Sequence, residues 1–480
     1  MTSAPLRATR KTSIKALSER LAAEREHWIE RNAYYYAEDR RVLRFLIPPN
    51  ANVLEVGCGT GSALAALAPR RGVGVDFSPA MVEQAKSRHP QLEFVVGDAE
   101  SPETLAALRG PFDFVVLADT FGLLDDCQVF LQQLLPILHS GSRIVIAQHN
   151  HLWEPILRLA EMLGAKMPQV GVSWLSLRDI ANLLDLAGYD VVQIHRRQLL
   201  PRHAFGLGPL INRYFGTLPV IQRLCARSYT VARPRLPPAP ASRSASVIVP
   251  CRNERGNIAP LVERLPAFAE RLEIIFVEGH SVDDTYTEVE RVIAAHPHRA
   301  IKLLRQPGIG KADAVRAAMA VATGDIVMIL DADMTVAPED MPKVYNAIAS
   351  GQADFVNGTR FVYPMEGGAM RFLNLLGNRG FSLIFSWLLN QRFSDTLCGT
   401  KALRRAHWDT ITANRTAFAI DDPFGDFDLI LGASRLTLKT IEIPLRYGER
   451  QYGETQISRF RHGWYLLRMA FAAYRRLKAF

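Results

Sequence analysis

Gly324-Asp-Ile-Val-Met-Ile-Leu-Asp-Ala-Asp333 decides how the second half of this chain is read. Ile326 to Leu330 is an unbroken apolar run rich in β-branched residues, the pattern of a strand buried on both faces. The run stops at Asp331-Ala-Asp333. In open α/β sheets, ligands bind beyond the carboxyl ends of such strands. Two carboxylates one residue apart suit one hard cation. Mg2+ takes one or two protein carboxylates and completes its shell with waters and substrate phosphates. An isolated Asp-x-Asp also serves to cap a following helix, here the one announced by Pro338-Glu-Asp340, so the neighbouring strand ends decide the matter.

Working outward, the strand Ser246-Val-Ile-Val249 leads into Pro250-Cys-Arg-Asn253-Glu254. Glu273 to Val277 ends in Glu278-Gly-His-Ser-Val-Asp283, and Ala300 to Leu304 is followed by Gly308-Ile-Gly310-Lys311. Helical stretches lie between them. This βαβαβαβ alternation predicts a parallel sheet with right-handed crossovers, each strand end adding a polar group to one crevice.

The first half repeats the logic. After a helical stretch over 11–45, the strand Asn52-Val-Leu-Glu55-Val56 runs into Gly57-Cys-Gly59-Thr-Gly61 and a helix. Glycines let a ligand approach the backbone, and the helix N-terminus offers free N–H groups. A second strand ends in Asp76, where an acid can hydrogen-bond a ribose. Glu93 to Val96 is followed by Gly97-Asp98-Ala99, and Phe112 to Leu117 by Ala118-Asp119. His149 and His151 follow the next strand and are candidates for a base or for ordinary loop residues. Between the halves, Arg233 to Ser244 carries four prolines in twelve residues, an extended linker. The expected domains are therefore residues 1–235 and 246–480, with 236–245 joining them.

Composition bounds the rest. A chain of 480 residues exceeds one ordinary core, and 48% apolar with 22% charged residues is globular. Net charge is +9, and from Ile443 to Phe480 eight Lys/Arg face two Glu, a local excess of six. That favours anionic partners such as phosphates or an acidic membrane surface. No helix-turn-helix or aromatic RNA platform accompanies it, so no nucleic acid is expected. Five scattered cysteines without a C-x-x-C pair predict a reducing, cytoplasmic setting. The N-terminus lacks the apolar core of a signal peptide, and no run reaches about 18 apolar residues, so no membrane span is predicted. Leu207 to Arg227 is amphipathic and Arg-rich, suited to covering a pocket or touching a membrane. Trp464 to Phe480 mixes aromatic and basic residues and reads either as an interfacial helix or as one docked on its domain.

Val53 to Gly61, with Asp76, Asp98 and Ala99 in order, resembles the class I S-adenosylmethionine-dependent methyltransferases, over roughly residues 30–235. The resemblance implies a Rossmann-like α/β fold. It also implies that Glu55, Gly57, Gly59, Gly61, Asp76, Asp98 and Ala99 bind S-adenosylmethionine. The second half resembles family 2 glycosyltransferases, most of all the dolichyl- or polyprenyl-phosphate sugar synthases, over about Ser244 to Phe460. Here the resemblance implies a GT-A nucleotide-sugar-binding fold. It places the donor at Pro250, Asn253, Glu254, Glu278, Asp283, Gly310 and Lys311, and Mg2+ or Mn2+ at Asp331 and Asp333. It makes Asp428, with Asp426 as the alternative, the acid facing the acceptor. Gly358-Thr-Arg360, Arg379, Asp395 to Gly399, Lys401 and the loop Arg450-Gln-Tyr-Gly-Glu-Thr455 match the acceptor side, so Arg360, Arg379, Lys401 and Arg450 are expected to hold a lipid phosphate. Thr335 stands where a metal-contacting Gln is frequent, and Gln456 where a Lys is, with Arg459 or Arg461 as substitutes. The expectation is a bifunctional enzyme: metal-dependent, inverting sugar transfer plus methyl transfer, peripheral on the inner face of the cytoplasmic membrane. The alternative keeps the glycosyltransferase and makes the first domain a non-catalytic cofactor-binding module.

Overall fold

Asn52–Val56 (β1), Arg71–Asp76 (β2), Glu93–Val96 (β3), Phe112–Ala118 (β4), Leu138–His149 (β5), Tyr189–Arg197 (β6) and Arg227–Pro234 (β7) form one seven-stranded sheet in the computed structural model. That structure describes residues 4–238, 243–364, 372–413, 425–450, 452 and 459–480. The chain divides into two compact units at Leu236/Pro237.

In the first unit the strand order is β3-β2-β1-β4-β5-β7-β6. β1 pairs in parallel with both β2 and β4, so the order reverses beside it and the glycine loop opens into that crevice. β7 is inserted antiparallel between β5 and β6. Leu54, Val56, Val73, Val115 and Ile146 join the core beneath. The stretch expected as one helix over 11–45 is broken. Helices Ala4–Leu21, Arg25–Arg31 and Ala33–Leu46 are separated at Ala22–Glu24 and at Asn32. Asn32 leaves helical geometry at φ −111°, and its side-chain amide donates to the Trp28 carbonyl at 3.2 Å. Such a side chain competes with the helical ladder and ends it.

The second sheet comprises Ser244–Cys251 (β8), Arg271–Glu278 (β9), Ala300–Arg305 (β10), Ile326–Ile329 (β11), Phe355–Thr359 (β12), Lys401–Arg404 (β13) and Thr440–Pro444 (β14), in the order β10-β9-β8-β11-β13-β12-β14. β8 starts two residues before the expected Ser246, because Ser244 Oγ donates to Asp325 at 2.7 Å and accepts the Asp325 N–H. β10, β9, β8 and β11 are parallel as the alternation predicts. Beyond these four strands the sheet is mixed. Helix Met341–Ala349 carries the chain from β11 past one empty slot to β12, and β13 later fills that slot antiparallel to both. An antiparallel neighbour needs no crossover helix, so the alternation of elements carries no sign of it. β11 is buried along its whole length. Among the described residues no helix is long and apolar enough to cross a membrane.

Candidate active sites

At the end of β11, Asp331 and Asp333 are each held by a cation. Lys311, the first residue of helix Lys311–Met319 behind Gly310, reaches Asp331 at 2.6 Å. Arg450 reaches Asp333 at 2.7 Å and Glu254 at 3.1 Å, tying two strand ends together. Burial pushes the Asp331 carboxyl up, but the Lys311 ammonium outweighs it and holds the group below the usual carboxylate range. Burial raises Glu254 to about 7 against the opposing pull of Arg450 and Asn257. Thr335 Oγ1 donates to Asp333 at 2.7 Å. Gly399 closes the other side: a Cβ there would overlap Asp331 and Lys311.

The remaining donor-side residues form the rim. Asn253, at φ +56°, accepts the Val282 N–H at 2.8 Å and so pins the loop after β9. Asp283 accepts the Thr285 N–H at 3.1 Å at the head of the next helix. Glu278 accepts the Ser281 N–H, and Pro250 lies within β8.

The acceptor-side residues fall in different settings. Asp426, the alternative acid, joins this cluster, 3.9 Å from Lys311 and 3.8 Å from Lys401. Asp426 Oδ1 is buried without a hydrogen-bond partner. Asp428 instead lines an apolar pocket with Ala312, Val315, Trp408, Ile411 and Leu429. The four basic residues expected on one phosphate do not share a setting. Arg360 makes a bidentate pair with fully buried Asp395, at 2.7 and 2.9 Å. Lys401 is fully buried, with its ammonium donating to the Cys398 carbonyl. Arg450 faces the donor-side acids, and Arg379 is exposed on helix Phe372–Leu389. Of the loop 450–455, Gln451 and Gly453 to Thr455 lie outside the described residues, as do Gln456 and the side chains of Arg459 and Arg461. Glu442 went unread in the sequence; it accepts the Ser394 N–H at 2.8 Å and the Asp395 N–H at 3.1 Å, fixing the loop that carries Asp395.

In the first unit, Gly57, Gly59 and Gly61 all have positive φ, at 72°, 50° and 78°. Gly59 faces open space, while a Cβ on Gly57 would strike the Thr120 side chain. Asp76 accepts the Gly59 N–H at 2.9 Å and the Ser78 N–H at 3.0 Å, so it shapes the loop as well as bordering it. Glu55 lies beneath the loop, accepting the Leu64 N–H at 3.0 Å, and burial raises its carboxyl to about 8. The Asp98 carboxylate accepts the Glu100 N–H at 3.0 Å and pairs with Lys11 at 2.6 Å; Ala99 packs at the core edge. Helix Ala4–Leu21 brings Lys11 there and anchors itself through Arg10, which binds Asp125 at 2.6 Å and the Gly122 carbonyl at 2.9 Å. The sequence carried a sign of this: Arg10 stands in helical register with Ile14, Leu17 and Leu21.

His149 and His151 part company. His151 is exposed. His149 lies 3.2 Å from Asp119 through Nδ1 and 3.0 Å from the Tyr35 hydroxyl through Nε2. Asp119 also pairs with fully buried Arg227, which binds Asp39 at 2.8 Å. Arg227, Asp39 and Tyr35 carried no motif in the sequence; only the fold brings them together.

Two family models match. Residues 27–194 match the methyltransferase domain model, and residues 246–410 match glycosyl transferase family 2. The second half is 29% identical over 219 residues to the dolichol-phosphate mannosyltransferase of Pyrococcus furiosus, covering 44% of this chain. The chain spans 58% of that relative's length. Among solved structures, a SAM-dependent methyltransferase from Thermotoga maritima aligns at 18% identity over 46% of this chain and 99% of its own, with a TM-score of 0.35. Glucosyl-3-phosphoglycerate synthase from Mycobacterium tuberculosis aligns at 18% identity over 49% of this chain and 80% of its own, with a TM-score of 0.36. The chain therefore joins a methyltransferase domain to a family 2 glycosyltransferase domain in one polypeptide.

Proposed function

We propose that the second unit transfers a sugar, with inversion, from a nucleoside diphosphate donor to a polyprenyl phosphate or related lipid, and that the first unit transfers a methyl group from S-adenosylmethionine. The observation that carries the sugar transfer is the pair Asp331 and Asp333 at the end of β11, ringed by Lys311 and Arg450. The pair fits a divalent cation such as Mg2+ or Mn2+. Among the described residues no group of three or more His, Cys, Asp or Glu is placed to hold a metal ion; here two carboxylates would hold the ion, with phosphate oxygens and waters completing the shell. Bound there, the ion would supply charge neutralisation on the leaving diphosphate.

The chain's own residues then divide the work. Lys311 and Arg450 present positive charge to the diphosphate, and Glu254, Glu278, Asn253 and Asp283 border the nucleoside. A lipid phosphate has a second pKa near 6 and is mostly ionised at neutral pH, so it needs no strong base. Asp426 orients this acceptor, or takes its proton if the acceptor is a hydroxyl. Asp333→Ala in a labelled-sugar assay is expected to abolish transfer, and transfer near the wild-type rate would end this reading. For the methyl half, Gly59 lines open space and Gly57 and Gly61 hold the positive φ that brings the backbone close, which suits the bulky cofactor.

A lipid acceptor is also supported by surface chemistry. Phe205 is fully exposed, and Leu207, Leu210, Phe215, Val220 and Leu224 are more than half exposed. Residues 202–224 carry Arg202, Arg213 and Arg223 and no carboxylate, so this face suits an anionic lipid surface. In helix Arg459–Ala473, Leu466, Met469 and Ala473 are buried while Trp464, Leu467 and Phe471 are exposed, so it docks by one face and offers the other.

A further inference from the structure

We propose that Tyr35, His149 and Asp119 form a proton path, and that the acceptor methylated by the first unit is a hydroxyl group. The proposal rests on reading that unit as an S-adenosylmethionine-dependent methyltransferase.

Three strand ends converge on the path. Asp119 follows β4 and His149 ends β5, its parallel neighbour. Thr120, next to Asp119, lies directly against Gly57 of the glycine loop after β1. The imidazole is therefore at the crevice where the methyl donor is expected. Its Nδ1 faces Asp119 at 3.2 Å, which assigns the ring proton to Nδ1 and leaves Nε2 to accept from the Tyr35 hydroxyl at 3.0 Å. The Tyr35 and His149 rings are parallel, with centroids 5.8 Å apart, and the Trp174 ring stands 6.3 Å from His149.

The groups behind the histidine keep its partner charged. Burial opposes ionisation of Asp119, but Arg227 and His149 outweigh it and hold the carboxyl well below its usual range. Arg227 is shared with Asp39, which also accepts the Tyr229 hydroxyl at 2.6 Å. Burial raises the Tyr35 phenol well above its usual range, so it stays a neutral O–H that both donates and accepts. Asp119 and Tyr35 touch the imidazole, and Arg227, Asp39, Tyr229 and Tyr36 stand behind them. Arg227 and Asp39 would suffice to tie β7 to helix Ala33–Leu46. The histidine and the half-buried tyrosine extend that buried pair toward the crevice.

The chemistry follows. The acceptor oxygen attacks the sulfonium methyl; an O–C bond forms as the C–S bond breaks, and that bond's electron pair returns to sulfur, leaving a neutral thioether. The hydroxyl proton passes to the Tyr35 oxygen as the Tyr35 proton passes to His149 Nε2, and the imidazolium is held by Asp119. Phosphates and carboxylates are already ionised, and an amine attacks through its lone pair and loses its proton afterwards. A hydroxyl needs its proton taken in the step itself. Tyr35 and His149 are the catalytic residues here, and Asp119 and Arg227 position them.

The test uses the full chain, S-adenosylmethionine, octyl glucoside and its 2-amino-2-deoxy counterpart, and reads thioether release and product mass. O-methylation is expected. His149→Gln and Tyr35→Phe should each lower kcat by about 10²- to 10⁴-fold, together no more than either alone, with cofactor binding by calorimetry unchanged. In the cofactor-free protein, 15N-labelled histidine should show His149 Nε2 as an unprotonated acceptor whose resonance moves on Tyr35→Phe. Variants within twofold of wild type, N-methylation alone, an unmoved resonance, or bound cofactor with no O-methyl product would each overturn the proposal. Absence of cofactor binding by the wild type would instead overturn the methyltransferase reading, and the proposal with it.

Discussion

Asp426 and Asp428 stand two positions apart on one helix, and that spacing decides their roles. Residues two apart on a helix face different ways. Asp426 turns to Lys311 and Lys401, and Asp428 to the pocket at Trp408. Asp426→Asn is expected to lower sugar transfer by about 10²-fold or more, and Asp428→Asn by only a few-fold, read as initial rates with one donor. The sequence announced an acid in this segment, but choosing between the two needed the helix phase, which a Gly425 start at φ +75° sets. Glu55 gives a second expectation. Its folded pKa of about 8 lies above the unfolded value near 4.5, so between these values the folded chain binds more protons than the unfolded one. Stability contributed by the protonated group is therefore full below about pH 4.5 and is lost as pH rises through about 8. Glu55→Gln should flatten that loss, seen as a smaller fall in urea midpoint between pH 5 and pH 8.5 than in the wild type.

The glycine loop is the element most fully legible in the sequence, because its constraint is local. Gly57→Ala must hold φ +72° and clear Thr120, so a cost of about 1–2 kcal/mol for the backbone alone is expected, with weakened cofactor binding by calorimetry. Adding Thr120→Ala should relieve the overlap and leave the backbone cost. The segment 202–224 was legible only as amphipathic; whether it covered a pocket or met a membrane depended on tertiary packing. Its exposed Phe205, Leu207 and Leu210 favour the membrane. Replacing these three by Ser should reduce flotation with phosphatidylglycerol vesicles, and adding 0.5 M salt should reduce the flotation of the wild type. Unchanged flotation in the triple variant would remove this segment from the contact. Element boundaries were also local matters: the break at Asn32 follows from one amide that bonds its own helix.

Across the whole chain, the two α/β units were legible from alternating strands and helices, whereas the mixed order of the second sheet was not. The slot between β11 and β12 is filled by β13, a strand arriving long after the alternation ends, and pairing across that distance leaves no periodic trace. Basic residues were legible as charge, but their protein partners were not, since only the fold brings Arg360 to Asp395 and Lys401 to the Cys398 carbonyl. Each unit has its own seven-stranded sheet and its own apolar interior. A molecule built on two interiors is expected to melt in two calorimetric steps. Each step should answer to a different small molecule: one should climb with S-adenosylmethionine and ignore a nucleotide sugar, and the other should do the reverse.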